Sequence, residues 1–277
     1  MMTNNELLEV VATQKYLAID LETSSSAGSK EHNLDLKRCK VELIGFAWDG
    51  GAGVVDCNET FDTEKLQEIL MAPHVKKVFH RAEFDAKILA EHFLDGKPVE
   101  GIYFDTKIAA QLVDENHPTG LKDLAKRLLK KEWGLYNERS KQTRAEFIEY
   151  CKQDATSTLD LAYVLGHVIQ REELVNLFNL EMSVVQTIIK GEINGIKIDL
   201  RVLSNLVTRY GQNVKRLGQF LFKKVGSEFN PRSPKQLTEI LYERMKFPVL
   251  EYTKDPKTKQ ATTNPSTGAL ALEKLSK

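Results

Sequence analysis

Cysteine, tryptophan and long apolar runs are all scarce in this 277-residue sequence. The three cysteines, Cys39, Cys57 and Cys151, contain no C-x-x-C pair. An odd number at these spacings points to neither a disulfide framework nor a zinc site, so a reducing, cytoplasmic compartment is expected, or a host cytoplasm for a viral protein. No apolar stretch approaches the ~20 residues of a membrane-spanning helix, and no membrane partner is expected. The opening MMTNNELLEV lacks the basic-then-apolar order of a secretory signal. Internal repeats and low-complexity tracts are also missing. What remains is a globular composition, 42% apolar and 28% charged, long enough for one large domain or a domain with an extension.

Lys and Arg balance Asp and Glu at 39 each, but unevenly along the chain. Residues 1–165 carry 21 basic against 28 acidic side chains, a net of −7, and residues 166–277 carry 18 against 11, a net of +7. A basic half suits a polyanionic partner such as nucleic acid. Solvated helix faces account for it equally well, so charge alone does not choose.

Periodicity divides the chain in the same place. Strand patterns cover 15–22, 41–49, 52–58, 75–80 and 101–105. Helical spacing covers DTEKLQEILM (62–71), where Asp62 or Thr63 can cap and Leu66, Ile69 and Leu70 form one stripe. It returns in EFDAKILAEHF, TKIAAQLVDE and LKDLAKRLLKK, and in a long helix from about 143 to 170. Three successive strands followed by strand–helix alternation predict an α/β domain with a mixed sheet flanked by helices. Beyond it the chain reads as nearly all helix: a segment ending at Asn194-Gly195, a second capped by Asp199 and running to about 225, and a third with Ser233 as cap, Pro234 at the first helical position and Gln236 completing a capping box. The tail after it is polar and turn-rich up to a last apolar stripe.

Three short motifs could carry chemistry. In YLAIDLETSS an apolar strand ends in Asp20 and Glu22, which share one face roughly 7 Å apart at Cα. Like charges so placed raise each other's pKa unless something positive lies between them, and a hard divalent cation is one such group. A solvated strand end is the plainer reading. In VFHRAEFDAKIL, Asp85 falls in the first turn of a helix, where a carboxylate also serves simply as a cap. In FIEYCKQDATSTLDLAYVL, Tyr150 and Asp154 are four apart and share a helix face, while Phe147, Leu159, Ala162, Val164 and Leu165 form the apolar stripe. Singly, each motif is weak. Together, four carboxylates on a strand and two helices could converge on a pair of cations ~3.5–4 Å apart, a site that clamps a phosphodiester.

In order and spacing, IDLET, FHRAEFD and YCKQD resemble the three motifs of 3′–5′ exonucleases with a DEDD carboxylate set. The Tyr150-x-x-x-Asp154 form is that of the tyrosine branch, which includes the proofreading domain of family A DNA polymerases and ribonuclease D. The resemblance implies a ribonuclease H-like fold over residues 1–170. It implies two cations, Mg²⁺ or Mn²⁺, held by Asp20, Glu22, Asp85 and Asp154, with Tyr150 orienting the attacking water. It also implies a substrate of single-stranded DNA or DNA 3′ ends, with Thr23 flanking the terminal nucleotide and Arg81 and Phe84 near it. FDTKIAAQLVDENHPTGLKDLAKRLLKKEW also looks like this family, where Asp-Thr opens a helix before L-x-x-L-A. Residues 171–277 resemble the helical linker and partial thumb of a family A polymerase, whose basic residues Lys223, Lys224, Arg232 and Lys235 would guide DNA.

Two departures stand out. The second motif usually has Asn four residues before its Asp, and here that residue is Arg81, which could contact the phosphodiester or pair with an acid. The palm and fingers motifs that bind a nucleoside triphosphate do not occur, so this chain alone is not expected to polymerise; it reads either as a truncated polymerase or as one half of a split polymerase whose palm and fingers are a separate partner chain. A DNA-binding or polymerase-docking module with a weak site, and a ribonuclease D-like enzyme acting on RNA, are the alternatives.

Overall fold

The computed structural model describes residues 2–25, 36–134, 142–255 and 258–276. They form two compact units, Met1–Ile196 and Lys197–Lys277. The first unit runs α1 (Asn4–Ala12), β1 (Tyr16–Ser25), β2 (Cys39–Trp48), β3 (Gly51–Asp56), α2 (Thr63–Met71), β4 (Lys76–Phe79), α3 (Ala82–Phe93), β5 (Ile102–Asp105), α4 (Thr106–Val113), α5 (Leu121–Leu124), α6 (Arg144–Arg171) and α7 (Val175–Asn194). Its five strands make one mixed sheet in the order β3-β2-β1-β4-β5, with β1 antiparallel to β2 and parallel to β4.

The sequence dictates most of these elements locally. Asp62 caps α2 through Lys65 N, and its Leu66, Ile69 and Leu70 stripe is fully buried. Along α6 the stripe Phe147, Leu159, Ala162 and Leu165 is buried as the spacing predicts, but Val164 faces outward. The helix expected over 121–131 is shorter: α5 passes after one turn into a π-type turn at Ala125–Leu129 and stops at Lys130, whose backbone is left-handed. The first helix, α1, carries a complete Thr3–Glu6 capping box and buries Leu7, Leu8 and Val11, yet it was not among the expected elements.

Three features set the stage for a site. First, β1 outruns β4: their pairing ends at Ala18–Val78, while β1 stays paired to β2 as far as Ser25–Cys39. Asp20 and Glu22 lie on that overhang, at the carboxyl end of two parallel strands, where α/β sheets open a crevice. Second, a bulge between Glu22 and Thr23 breaks the regular register. Third, Gly45 on β2 sits opposite Asp20, and a Cβ there would stand 2.9 Å from both the carbonyl oxygen and Sγ of Cys151 and 3.3 Å from Ala155 Cβ. The missing side chain lets α6 lie close on the sheet, bringing the turn with Tyr150 and Asp154 beside β1.

The second unit holds α8 (Leu200–Val225), α9 (Pro234–Thr238), a π-type turn at Glu239–Arg244, a hairpin of β6 (Tyr252–Lys254) and β7 (Ala261–Pro265), and α10 (Ala269–Leu275). Asp199 caps α8 and Ser233 caps α9 with Pro234 at its start, as read from the sequence. The second half of that expected capping box is redirected, because Gln236 Oε1 accepts from Asn230 N at 2.6 Å. The hairpin corrects the expectation of an irregular tail. Its strands are polar and rich in threonine, with Thr253 and Thr262 joined by their hydroxyls, so no apolar alternation announced them.

Gly45→Ala tests the close approach. The added methyl meets helix backbone, so α6 must shift, at a cost on the order of 1–3 kcal/mol. Thermal melts should show that loss; an unchanged melting temperature would show that the helix does not need the glycine.

Candidate active site

Asp20 and Glu22 project from the β1 overhang and Asp154 from α6, with one carboxylate oxygen of each within 4.8 Å of the others. Glu22 and Asp154 are buried, and Asp20 is half-buried. Asp85, in the first turn of α3, is 5% exposed; it is not one of the three within 4.8 Å, but its charge bears on Asp20. The crowding shows in the proton affinities. Burial pushes the Asp20 carboxyl well above its ordinary 3.8, with Asp154, Asp85 and Glu22 adding to the rise and Lys122 opposing it. Asp85 is likewise pushed well up, by burial, then Asp105 and Glu22, with Arg81 opposing.

Tyr150 lies one turn before Asp154 and donates its hydroxyl to that carboxylate. Burial first, then the charges of Asp154, Glu22 and Asp20, hold the phenol far above its ordinary 10, so it stays an O–H. Asp154 is raised by burial and eased by three donors: Lys122, Trp133 and Tyr150. Lys122 Nζ donates to Asp154 Oδ1, and Trp133 Nε1 donates to the same oxygen at 2.5 Å. The Lys122 ammonium sits 3.8 Å from the Trp133 ring centroid and 4.0 Å from that of Tyr150. Neither Lys122 nor Trp133 stood out in the sequence: Lys122 is one of several lysines in the helical stretch 121–131, and Trp133 lies just past it.

The start of α3 is held from outside the cluster. The Asp105 carboxylate accepts Ala82 N at 2.7 Å, Lys107 N at 2.8 Å, Arg81 N at 3.2 Å and Ile108 N at 3.3 Å. It thus caps α4 and fixes the first turn of α3 that carries Asp85. The position usually held by Asn has a left-handed backbone here, φ 73° and ψ 59°. The Arg81 side chain points outward, its Nε 3.0 Å from Glu83 Oε1 in an exposed pair. His80 is half-buried beside it, hydrogen-bonded through Nδ1 to Thr106 Oγ1, and burial lowers its pKa to about 4, which keeps it neutral.

The remaining candidates fall in two places. Thr23 is buried just past the bulge, opposite Val41, and Phe84 is half-buried against the core next to Asp85. Lys223 and Lys224 in the last turn of α8, Arg232, and Lys235 in α9 are exposed on the second unit.

The donor set tests what the cluster could hold. Four carboxylates offer hard oxygen ligands, the preference of Mg²⁺ and Mn²⁺ rather than of thiophilic metals. Cys151 lies beneath them but is no thiolate ligand, since burial and then Asp20, Glu22 and Asp154 push its thiol well up. The residues present fit a divalent cation.

Comparison with known proteins agrees with this geometry. A family model described as 3′–5′ exonuclease matches residues 2–170. The DNA polymerase I of Borreliella burgdorferi is 28% identical over 263 residues, 92% of this chain and 28% of that protein. The chain spans less than a third of the length of this and the other DNA polymerase I relatives it matches. Among solved structures, the POL domain of Pol1 from M. smegmatis, in complex with DNA primer-template and dNTP, superposes with a TM-score of 0.69 at 23% identity, over 98% of this chain and 43% of that one. Escherichia coli RNase D, an exoribonuclease involved in structured RNA processing, gives 0.55 at 17% identity, over 69% and 50%. The fold of the first unit is therefore the ribonuclease H-like fold of these nucleases. The family match ends at Gln170, while the compact unit continues through α7, which packs on α3, α4 and β5 and joins them through Gln186 Nε2 to Ile102 O at 3.0 Å.

Asp20→Asn should separate binding from stability. A carboxyl whose pKa is raised on folding favours the folded state at low pH, and that advantage is lost as pH rises above the ordinary 3.8. The amide removes the charge, so in chelator the variant should melt higher than wild type at neutral pH, by on the order of 1–3 kcal/mol. The gap should close on acidification. Equal melting temperatures at neutral pH would refute the repulsion.

Proposed function

The chain belongs to the 3′–5′ exonuclease family found in family A DNA polymerases, and from that premise we propose that it hydrolyses terminal phosphodiesters at DNA 3′ ends in a divalent-cation-dependent reaction of the proofreading type. The observation that carries the reading is the trio of carboxylate oxygens within 4.8 Å, with a neutral tyrosine one helical turn from the third. Asp20, Glu22, Asp85 and Asp154 would hold the cations. The chemistry that a pair of Mg²⁺ or Mn²⁺ ions supplies when bound is activation of the attacking water and neutralisation of charge on the leaving 3′ oxygen.

The chain's own residues do the rest. Tyr150, anchored by its donated bond to Asp154, keeps oxygen lone pairs with which to accept from the attacking water and aim it. With its phenol held above the ordinary range it orients the water and does not take its proton. Thr23 flanks the terminal nucleotide, and the Phe84 ring offers the base a stacking surface. Arg81 contacts phosphate with an outward-pointing guanidinium, and Lys223, Lys224, Arg232 and Lys235 bind the backbone of the strand. Residues 1–170 serve as the nuclease and 171–277 as a helical linker and partial thumb, with α7 doubling as a brace on the nuclease. The DNA polymerase I relatives favour a polymerase palm and fingers as partner. An RNA substrate is the second reading, favoured by the fold shared with RNase D.

With Mg²⁺ or Mn²⁺ the protein should shorten a 5′-labelled single strand stepwise from its 3′ end, and EDTA should stop it. The double variant Asp20→Ala/Glu22→Ala should be inactive; retained activity would sink the assignment. A matched RNA strand degraded faster than DNA would reverse the substrate preference. Tyr150→Phe, which loses aim but no carboxylate, should lower kcat about tenfold to a hundredfold with little change in KM.

A further inference from the structure

The carboxylate cluster already contains a cation of its own. Lys122 Nζ donates to Asp154 Oδ1, and its charge also bears on Asp20 and Glu22. Its position is built: the ammonium is bracketed by the Trp133 and Tyr150 rings at 3.8 and 4.0 Å, and Trp133 Nε1 holds the same carboxylate oxygen at 2.5 Å. The lysine side chain is 27% exposed and stands on α5, a single helical turn. It therefore has a path outward.

We propose that Lys122 is the resident counter-ion of the metal-free site, and that its pair with Asp154 and divalent cation binding there are mutually exclusive. The inference rests on the metal-dependent reading above. An ammonium and a divalent cation on one carboxylate repel each other across a few ångströms of low dielectric, so both cannot hold Asp154 Oδ1. The same oxygen has two lone pairs, and Lys122 and Trp133 take both. For Asp154 Oδ1 to ligate a metal, Lys122 must leave, and a metal taken by Oδ2 would still face the ammonium's charge a few ångströms away. While it stays, it neutralises part of the charge that would otherwise strain the empty cluster. Lys122 thus sets the apparent metal affinity: it competes with the cation and stabilises the metal-free fold.

Two measurements test this without reference to nuclease activity. In wild type, acylation of Lys122 by an amine-reactive reagent, mapped by mass spectrometry with the exposed Lys97 as internal control, should be slow in chelator and rise several-fold with Mn²⁺. By calorimetry, Lys122→Met should bind Mn²⁺ at least tenfold more tightly than wild type and melt lower in chelator, whereas Lys122→Arg, which keeps the cation, should stay near wild type in both. Mn²⁺ binding with unchanged Lys122 reactivity, or with unchanged affinity in a folded Lys122→Met, overturns the exchange and leaves the nuclease reading intact. If no Mn²⁺ binds to wild type or variant, the metal-dependent reading falls and the exchange falls with it.

Discussion

Negative charge packed on negative charge is the constraint around which this domain is arranged. Asp20, Glu22 and Asp154 bring oxygens within 4.8 Å of one another at the end of the central strand, and Asp85 presses on the same volume. Left to themselves such groups protonate or separate, because desolvated like charges at this range are costly. The fold prevents separation by mounting them on three rigid elements, Asp20 and Glu22 on β1, Asp85 on α3 and Asp154 on α6. Partial relief comes from donors: the Lys122 ammonium, the Trp133 indole N–H and the Tyr150 hydroxyl all converge on Asp154. Among the described residues Asp20 has no comparable set, and its carboxyl is pushed well above its ordinary value. A site that is under-neutralised on one side and provisionally neutralised on the other is prepared for cations.

Rigidity is supplied by residues outside the carboxylate cluster. Gly45 allows α6 to lie against the sheet, and without that approach Asp154 would stand off from β1. Asp105 gathers four backbone N–H groups and so ties the first turn of α3 to the start of α4. Its charge also acts on Asp85 more than that of Glu22 or Arg81 does, so one carboxylate both places Asp85 and raises its proton affinity. The shortness of β4 leaves the far edge of β1 open where Asp20 and Glu22 emerge. These are three separate ways of putting acids in one place, and none relies on attraction between them.

How much of this can be read from the sequence depends on whether a feature is local. The capped α2, the Asp199 and Ser233 caps and the Tyr150–Asp154 helix face are set within four residues, and they are legible. The meeting of Asp20, Glu22 and Asp154 was legible because three short motifs occur in family order. Lys122 and Trp133 were not, since they lie 32 and 21 residues from Asp154 and neither belongs to one of the three motifs. Gly45 was equally hidden: its role is a distance to Cys151, more than 100 residues on, and nothing in the alternation of β2 marks it. The β6–β7 hairpin escaped because threonine-rich strands carry no apolar period.

The arginine at the usual asparagine position can be understood in the same terms. Residue 81 adopts a left-handed backbone, which asparagine enters more readily than other residues bearing a side chain, at a cost of roughly 1–2 kcal/mol for the rest. Asparagine therefore suits the turn first as backbone. Arginine at this position bears the strain, and the Asp105 bond to Arg81 N at 3.2 Å helps hold the conformation. Its side chain leaves the acids and pairs with Glu83 in solvent, where an exposed ion pair contributes at most about 1 kcal/mol. Arginine therefore acts on the stability of the α3 entry, and its charge also bears on Asp85, whose turn is held by the backbone bonds to Asp105.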